Sequence, residues 1–284
     1  MTGSHPETAY RAADFIFAVD VEVPDPDATI PRLMSVFGTA PPGRRVARRY
    51  TIAPDPPRDQ NYRLMADGDV IPDVTALGTI VDWIIGDVTR SGTASLGRGP
   101  ALHAGAVALE GSGVILPGVS GAGKSTLVAG LVAAGALYLS DEVADIDVAD
   151  LVVHPFPRPL VLDPESVLAV DGLRERIPPA HEAFRLLRYH VTPEDLGSRS
   201  AAGPVPLALV VEPHYVRGAT TTIEPLSRAA VLAMLVGHIF GSTDAIEDAL
   251  QSLRGVALEV PGYRLRGGDL KEMVAEVTRR VPER

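Results

Sequence analysis

The stretch GVILPGVSGAGKSTLVAGLVAAG, residues 113–135, constrains this chain more than any other. A strand-like apolar run leads into Gly118-Val119-Ser120-Gly121-Ala122-Gly123-Lys124-Ser125, and a helix-like run follows, with Gly135 as its expected C-cap. The octet satisfies G-x-x-x-x-G-K-[ST], a loop suited to hold phosphate. Gly118, Gly121 and Gly123 are expected at positive φ, where the backbone can approach an anion without a Cβ clash. Exposed N–H groups of Ser120, Ala122 and Thr126, together with the helix N-terminus, would complete an anion nest. Lys124 is expected over the β and γ phosphates, and the Ser125 hydroxyl on Mg²⁺.

Asp141 follows Lys124 by 17 residues, at the end of the very next strand-like run, ALYLSDEVADID. So compact a loop–helix–strand–acid unit is more typical of kinases than of nucleotide hydrolases. One carboxylate of Asp141–Glu142 would accept the proton of an attacking hydroxyl, and the other would hold Mg²⁺ through water. Side chains alternate along a strand, so both acids can face one site only where the strand ends. Upstream, LHAGAVALE and GVILPGV flank Gly111-Ser112-Gly113 and read as a hairpin. A turn centred near Gly111-Ser112 makes facing residue numbers sum to about 223. His103 is then expected roughly opposite Ser120, placed to orient an acid such as Glu142 or to read a phosphate.

Taken together, LHAGAVALEGSGVILPGVSGAGKST and LYLSDEVADID resemble the C-terminal family of the HPr kinase/phosphorylases. The likeness is greatest to HPr-kinase-related proteins, including those that phosphorylate a serine of lasso-type peptides. HPFPRPLVLD (154–163), EPLSRAAVLAMLV (224–236) and YRLRGGDL (263–270) resemble further segments of that group. The resemblance implies an α/β fold with a phosphate loop on a mixed twisted sheet, related to phosphoenolpyruvate carboxykinase. It also implies an ATP- and Mg²⁺-dependent kinase acting on a hydroxyl, and homo-oligomers by analogy. By resemblance Asp141 takes the proton, Ser125 and Glu142 serve the metal, and His103 steadies the second acid. Two departures stand out: Glu142 replaces an aspartate, and the long glycine-rich signature that goes with HPr recognition is missing. HPr itself is therefore not the expected acceptor; a hydroxyl-bearing peptide or small amino-acid-like molecule is.

The rest of the chain sets the frame. Length suggests two units, with a small N-terminal α+β domain over 1–95 and the kinase-like domain over 96–284. Residues 13–25 alternate as a half-buried strand, and PDPDATIP and APDPPRD read as loops. Val74, Leu77, Val81, Ile84 and Val88 predict a helix N-capped by Asp73, followed by a linker at 91–100. Residues 155–164 are expected as a loop, PLALVV (206–211) as a buried strand, and 227–240 and 243–253 as helices. Arg158, between two prolines, would present a fixed guanidinium to phosphate or substrate. The run Arg44-Arg45-Val46-Ala47-Arg48-Arg49 reads as a solvated face that would otherwise dock an acidic peptide. His214-Tyr215-Val216-Arg217 is a weaker candidate for the cleft wall.

A net charge of −10 argues against nucleic acid and anionic membrane as partners. The chain has no cysteine, which excludes thiolate chemistry. The N-terminus lacks the basic head and apolar run of a signal peptide, and no run approaches 18 apolar residues, so a cytoplasmic protein is expected. ATP, GTP and pyrophosphate all carry phosphates for such a loop; ATP is the expected donor. Two other readings fit the loop. One is a small-metabolite kinase of gluconate or shikimate type, although 117 residues here precede the loop. The other is a nucleotide-sensing protein without turnover.

Overall fold

The computed structural model describes residues 8–25, 28–55, 62–178, 188–240 and 246–282. The architecture is mixed α/β, with strands of both directions in its sheets. The first sheet has the order β1 (Ala9–Ala12), β2 (Phe15–Val21), β3 (Arg48–Pro54), β4 (Tyr62–Ala66), β5 (Asp69–Val70). The β2–β3 pair is parallel and so needs a crossover, which carries α1 (Thr29–Ser35). Helix α2 (Leu77–Thr93) lays Ile80, Val81, Ile84 and Val88 into the core under this sheet, beside Phe17, Tyr50 and Leu64.

Helix α2 starts four residues after Asp73, which lies in the left-handed region at φ 61° and does not cap it. The Pro-rich stretch 24–31 runs into α1, because the Asp25 carboxylate accepts hydrogen bonds from Thr29 and Ile30 N–H and so starts the helix. Ala53 and Pro54 end β3 and are not loop, while residues 56–60 lie outside the described residues. Residues 91–93 form the last turn of α2 and not a linker. Half of the basic run is engaged: Arg48 pairs with Asp87 and Asp67, and Arg49 with Asp20, which leaves Arg44 and Arg45 exposed.

The larger sheet has eight strands. Its path is β10 (Val152–His154), β9 (Val143–Asp147), β6 (Ala101–Leu109), β7 (Ser112–Pro117), β13 (Val205–Tyr215), β15 (Gly262–Gly267), β14 (Thr222–Pro225). Strand β8 (Leu137–Ser140) also pairs with β6. Both faces are covered, and the side-chain alternation shows it. Val114 and Leu116 face α3 (Lys124–Ala133) and α8 (Leu270–Arg280), with Val107 and Leu209. Ile115 faces the other way with Ala106 and Val210, toward α6 (Arg228–Val236) and α7 (Ile246–Glu259). Burial on both faces explains why the central strands read as continuous apolar runs.

The helix expected over 227–240 ends at Val236, and that expected over 243–253 runs to Glu259; residues 241–245 lie outside the described set. The segment 155–164 is only partly loop. Leu160–Leu162 form β11, which pairs with β12 (Tyr189–Val191), and α4 (Pro164–Ala169) starts at Pro164 behind its Asp163 cap. A proline at N1 suits a helix start, so this proline marks a boundary between elements and not a loop.

Candidate functional site

The glycine-rich loop joins β7 to α3 and stands at the edge of a cavity of about 490 Å³. Gly121 and Gly123 have φ of 81° and 91°, as expected, but Gly118 is not in the left-handed region. Space is what matters at Gly118: a Cβ there would stand 3.3 Å from the Ala122 Cβ and 3.4 Å from Lys124 Cγ. The end of β13 pins the loop, since Tyr215 N–H donates to Ala122 O at 3.1 Å and the Tyr215 side chain crowds Gly123. Ser120, Gly121, Gly123, Lys124, Ser125 and Thr126 line the cavity, while Gly118 and Ala122 support it from behind. The first N–H groups of α3 lack intrahelical partners by helix geometry, which favours an anion there.

The expected single strand 136–147 is broken. Strands β8 and β9 both pair with β6, and Asp141 and Glu142 fall between them, just after a shift in register between Tyr138 and Ser140. Here the sequence condition is met: the strand ends where the acids sit, and both carboxyls line the cavity. Their surroundings differ. Asp141 is 2% exposed, meets Arg158 Nε at 3.3 Å and lies 3.1 Å from the Tyr138 hydroxyl. Burial pushes its pKa above the usual carboxylate value, with Arg158 opposing and Glu142 adding. Burial also acts upward on Glu142, but His103, Arg158 and Lys124 outweigh it and its pKa lies below the usual value.

His103 reaches this site by a register other than the expected one. The hairpin turns at Glu110-Gly111, both at positive φ, so Leu109 faces Ser112 and Ala104 faces Pro117. Facing numbers therefore sum to 221 and not 223, and His103 falls level with Gly118 instead of Ser120. A shift of two in the sum moves a residue's partner by two and keeps its face. Lys124 Nζ donates to His103 Nε2 at 3.0 Å, which assigns the ring proton to Nδ1. Nδ1 then donates to Glu142 Oε1 at 3.1 Å. Lys124 also donates to Gly118 O at 2.6 Å and Val119 O at 3.3 Å. Burial lowers the Lys124 pKa, and the two carboxylates counter it.

Arg158, expected to present its guanidinium from a stiff loop, is 8% exposed and turned inward onto Asp141. Burial acts against its charge, but Asp141, Glu142, Tyr138 and Asp82 together raise its pKa above the usual value. Of the weaker cleft candidates, Tyr215 lines the cavity, whereas His214 is half exposed beside Glu212.

Tyr138 was not singled out from sequence. Its hydroxyl lies 2.9 Å from Arg158 O and accepts from Asp141 N–H at 3.0 Å, tying the acid to the proline-framed segment. Burial first, then the Asp141 charge, raises its pKa well above that of a free phenol, so it stays a donor. Tyr138→Phe is expected to cost about 1–3 kcal/mol, read by urea denaturation, because Arg158 O and Asp141 N–H lose a buried partner. The only sequence signal was an aromatic at 138, three residues before the acid pair, on the strand that leads to it.

Among the described residues no group of three or more histidine, aspartate and glutamate side chains could hold a metal ion by itself. Ser125, Asp141 and Glu142 nonetheless line one cavity, a donor set that suits Mg²⁺ when phosphate oxygens and water complete the shell. The site joins a cation, a helix N-terminus and two carboxyls of opposite tendency, chemistry that can hold an anion beside a proton-accepting group. Comparison with known family models and with curated proteins gives no match. No helix among the described residues is long and apolar enough to cross a membrane.

Proposed function

We propose that the chain is an ATP- and Mg²⁺-dependent kinase that transfers the γ-phosphoryl group to a hydroxyl, of serine type, on a peptide or small amino-acid-like acceptor. In this reading residues 96–284 form a phosphate-loop kinase unit of the HPr kinase and phosphoenolpyruvate carboxykinase type. The observation that carries it is the cavity shared by Lys124, the α3 N-terminus and two adjacent carboxyls whose pKa values are pushed apart.

The acceptor oxygen would bond to the γ-phosphorus as the bond to the β-bridging oxygen breaks, ADP leaving and the hydroxyl proton passing to a carboxylate. Asp141 suits the proton because burial raises its affinity for one, and Tyr138 and Arg158 fix its direction. Glu142 stays ionised beside His103 and, with Ser125, would hold Mg²⁺. Mg²⁺ when bound neutralises developing phosphate charge. Lys124 and the loop N–H groups would hold the phosphates. The lysine's longest contact, to Val119 O at 3.3 Å, is the one most easily exchanged for a phosphate oxygen.

The test uses γ-labelled ATP, Mg²⁺ and a size-fractionated extract of the source organism. Label moving to a peptide or small-molecule fraction supports the kinase reading and supplies the acceptor for mass spectrometry. Label that stays in tightly bound ATP overturns it in favour of a nucleotide sensor.

A further inference from the structure

Helix α2 packs on the N-terminal sheet, yet one of its side chains pairs with a residue of the site. Asp82 Oδ1 lies 2.8 Å from His190 Nε2, and Oδ2 lies 3.5 Å from an Arg188 terminal nitrogen. Arg188 precedes β12 and His190 is its middle residue, while the other strand of the ribbon, β11, begins two residues after Arg158. Arg188 lines the cavity, one register step beyond the Leu162–Tyr189 pair.

The other cations of this cavity are committed. Arg158 is turned onto Asp141, and Lys124 is spread over two carbonyls and His103. Arg188 differs: its contact with Asp82 is longer than a good hydrogen bond, and its side chain is 56% exposed. Among the described residues, the nearby acids of the cavity do not claim it either. Asp163 caps α4 through Ser166 N–H, and Glu165 pairs with Arg217. A guanidinium has a planar fork of donors that matches a carboxylate, and a chain of charge −10 repels anionic acceptors unless such a group receives them.

We infer that Arg188, oriented by Asp82, is the acceptor-recognition residue, and that the accepting hydroxyl belongs to a molecule carrying a carboxylate close to it. The inference rests on the phosphotransfer reading for the hydroxyl, but not for the anion. It gives the N-terminal unit a part in the site: Asp82 is a positioning residue acting through Arg188 and His190. The carboxylate has two possible sources, the α-carboxylate of a free hydroxy amino acid or an acidic residue beside a peptide serine.

Two matched pairs separate the sources: serine against serinamide, and a short serine peptide flanked by glutamate against the same peptide flanked by glutamine. Binding is measured by calorimetry and transfer by label from γ-labelled ATP. Wild type is expected to favour the carboxylate member of one pair by about tenfold or more, and the pair that shows it names the source. Arg188→Ala is expected to bring that ratio close to one, with Arg188→Lys retaining part of it. Asp82→Asn should reduce the same ratio chiefly through KM, and Asp82→Glu should restore it. Failure of wild type to distinguish the members of either pair, or an equal loss for both members in Arg188→Ala, would overturn the inference. Carboxylate-dependent binding without transfer sinks the kinase reading and leaves the anion subsite standing. Transfer without carboxylate preference does the reverse.

Discussion

Replacing Asp141 by asparagine is expected to lower phosphoryl transfer by about 100- to 10,000-fold while nucleotide affinity stays close to that of wild type. Asparagine keeps the shape and can still meet Tyr138, but it cannot take up a proton. Loss of transfer with intact binding identifies a proton acceptor; retained transfer would remove that role from Asp141. The same variant has a stability signature of known sign. Burial raises the Asp141 pKa, with Arg158 opposing only in part, so the native state holds this proton more tightly than the unfolded chain. The group's stabilisation is thus present in acid and is lost as pH rises through the raised value. The Asp141→Asn variant is neutral at every pH. It is expected to melt above wild type at pH 7 and to converge with it below the carboxylate range, as read by thermal denaturation across pH.

Lys124→Ala is expected to fail at an earlier step. Nucleotide affinity should fall by about tenfold to a hundredfold, and transfer should vanish with it. The ammonium is the cation nearest the loop carbonyls, and alanine leaves Gly118 O, Val119 O and His103 Nε2 without their donor. Direct titration with ATP separates the two variants: one binds without turning over, the other binds poorly. An unchanged affinity in Lys124→Ala would mean that the loop does not hold the phosphates.

How much of this was legible in the sequence depends on how local each feature is. The loop and its helix are consecutive: Gly121 and Gly123 take the positive φ expected of them, and the helix starts at Lys124. The acid pair was visible too, together with the condition that its strand must end there. His103 was found through a hairpin whose turn was set one residue too late, and it still reached the acids because the slip kept its face. Prolines misled where they begin elements: Pro31 lies within α1, and Pro164 opens α4. Arg158 is expected from sequence to aim its guanidinium at phosphate or substrate, because nothing nearby in sequence shows that Tyr138 and Asp141 will enclose it. Asp82 and Arg188 had no local signal at all, since their meeting joins residues 106 apart across two sheets.

The break between β8 and β9 has a consequence for how the acid pair is read. On paper Asp-Glu is two neighbouring acids of similar strength, and their order looks incidental. In the fold the first position turns inward to Tyr138 and Arg158, and the second turns toward His103 and Lys124. Division of labour therefore belongs to the places and not to the side-chain types: one place keeps protons, the other keeps charge. Exchanging the two residues would preserve composition, motif and net charge, yet each acid would inherit the other's task.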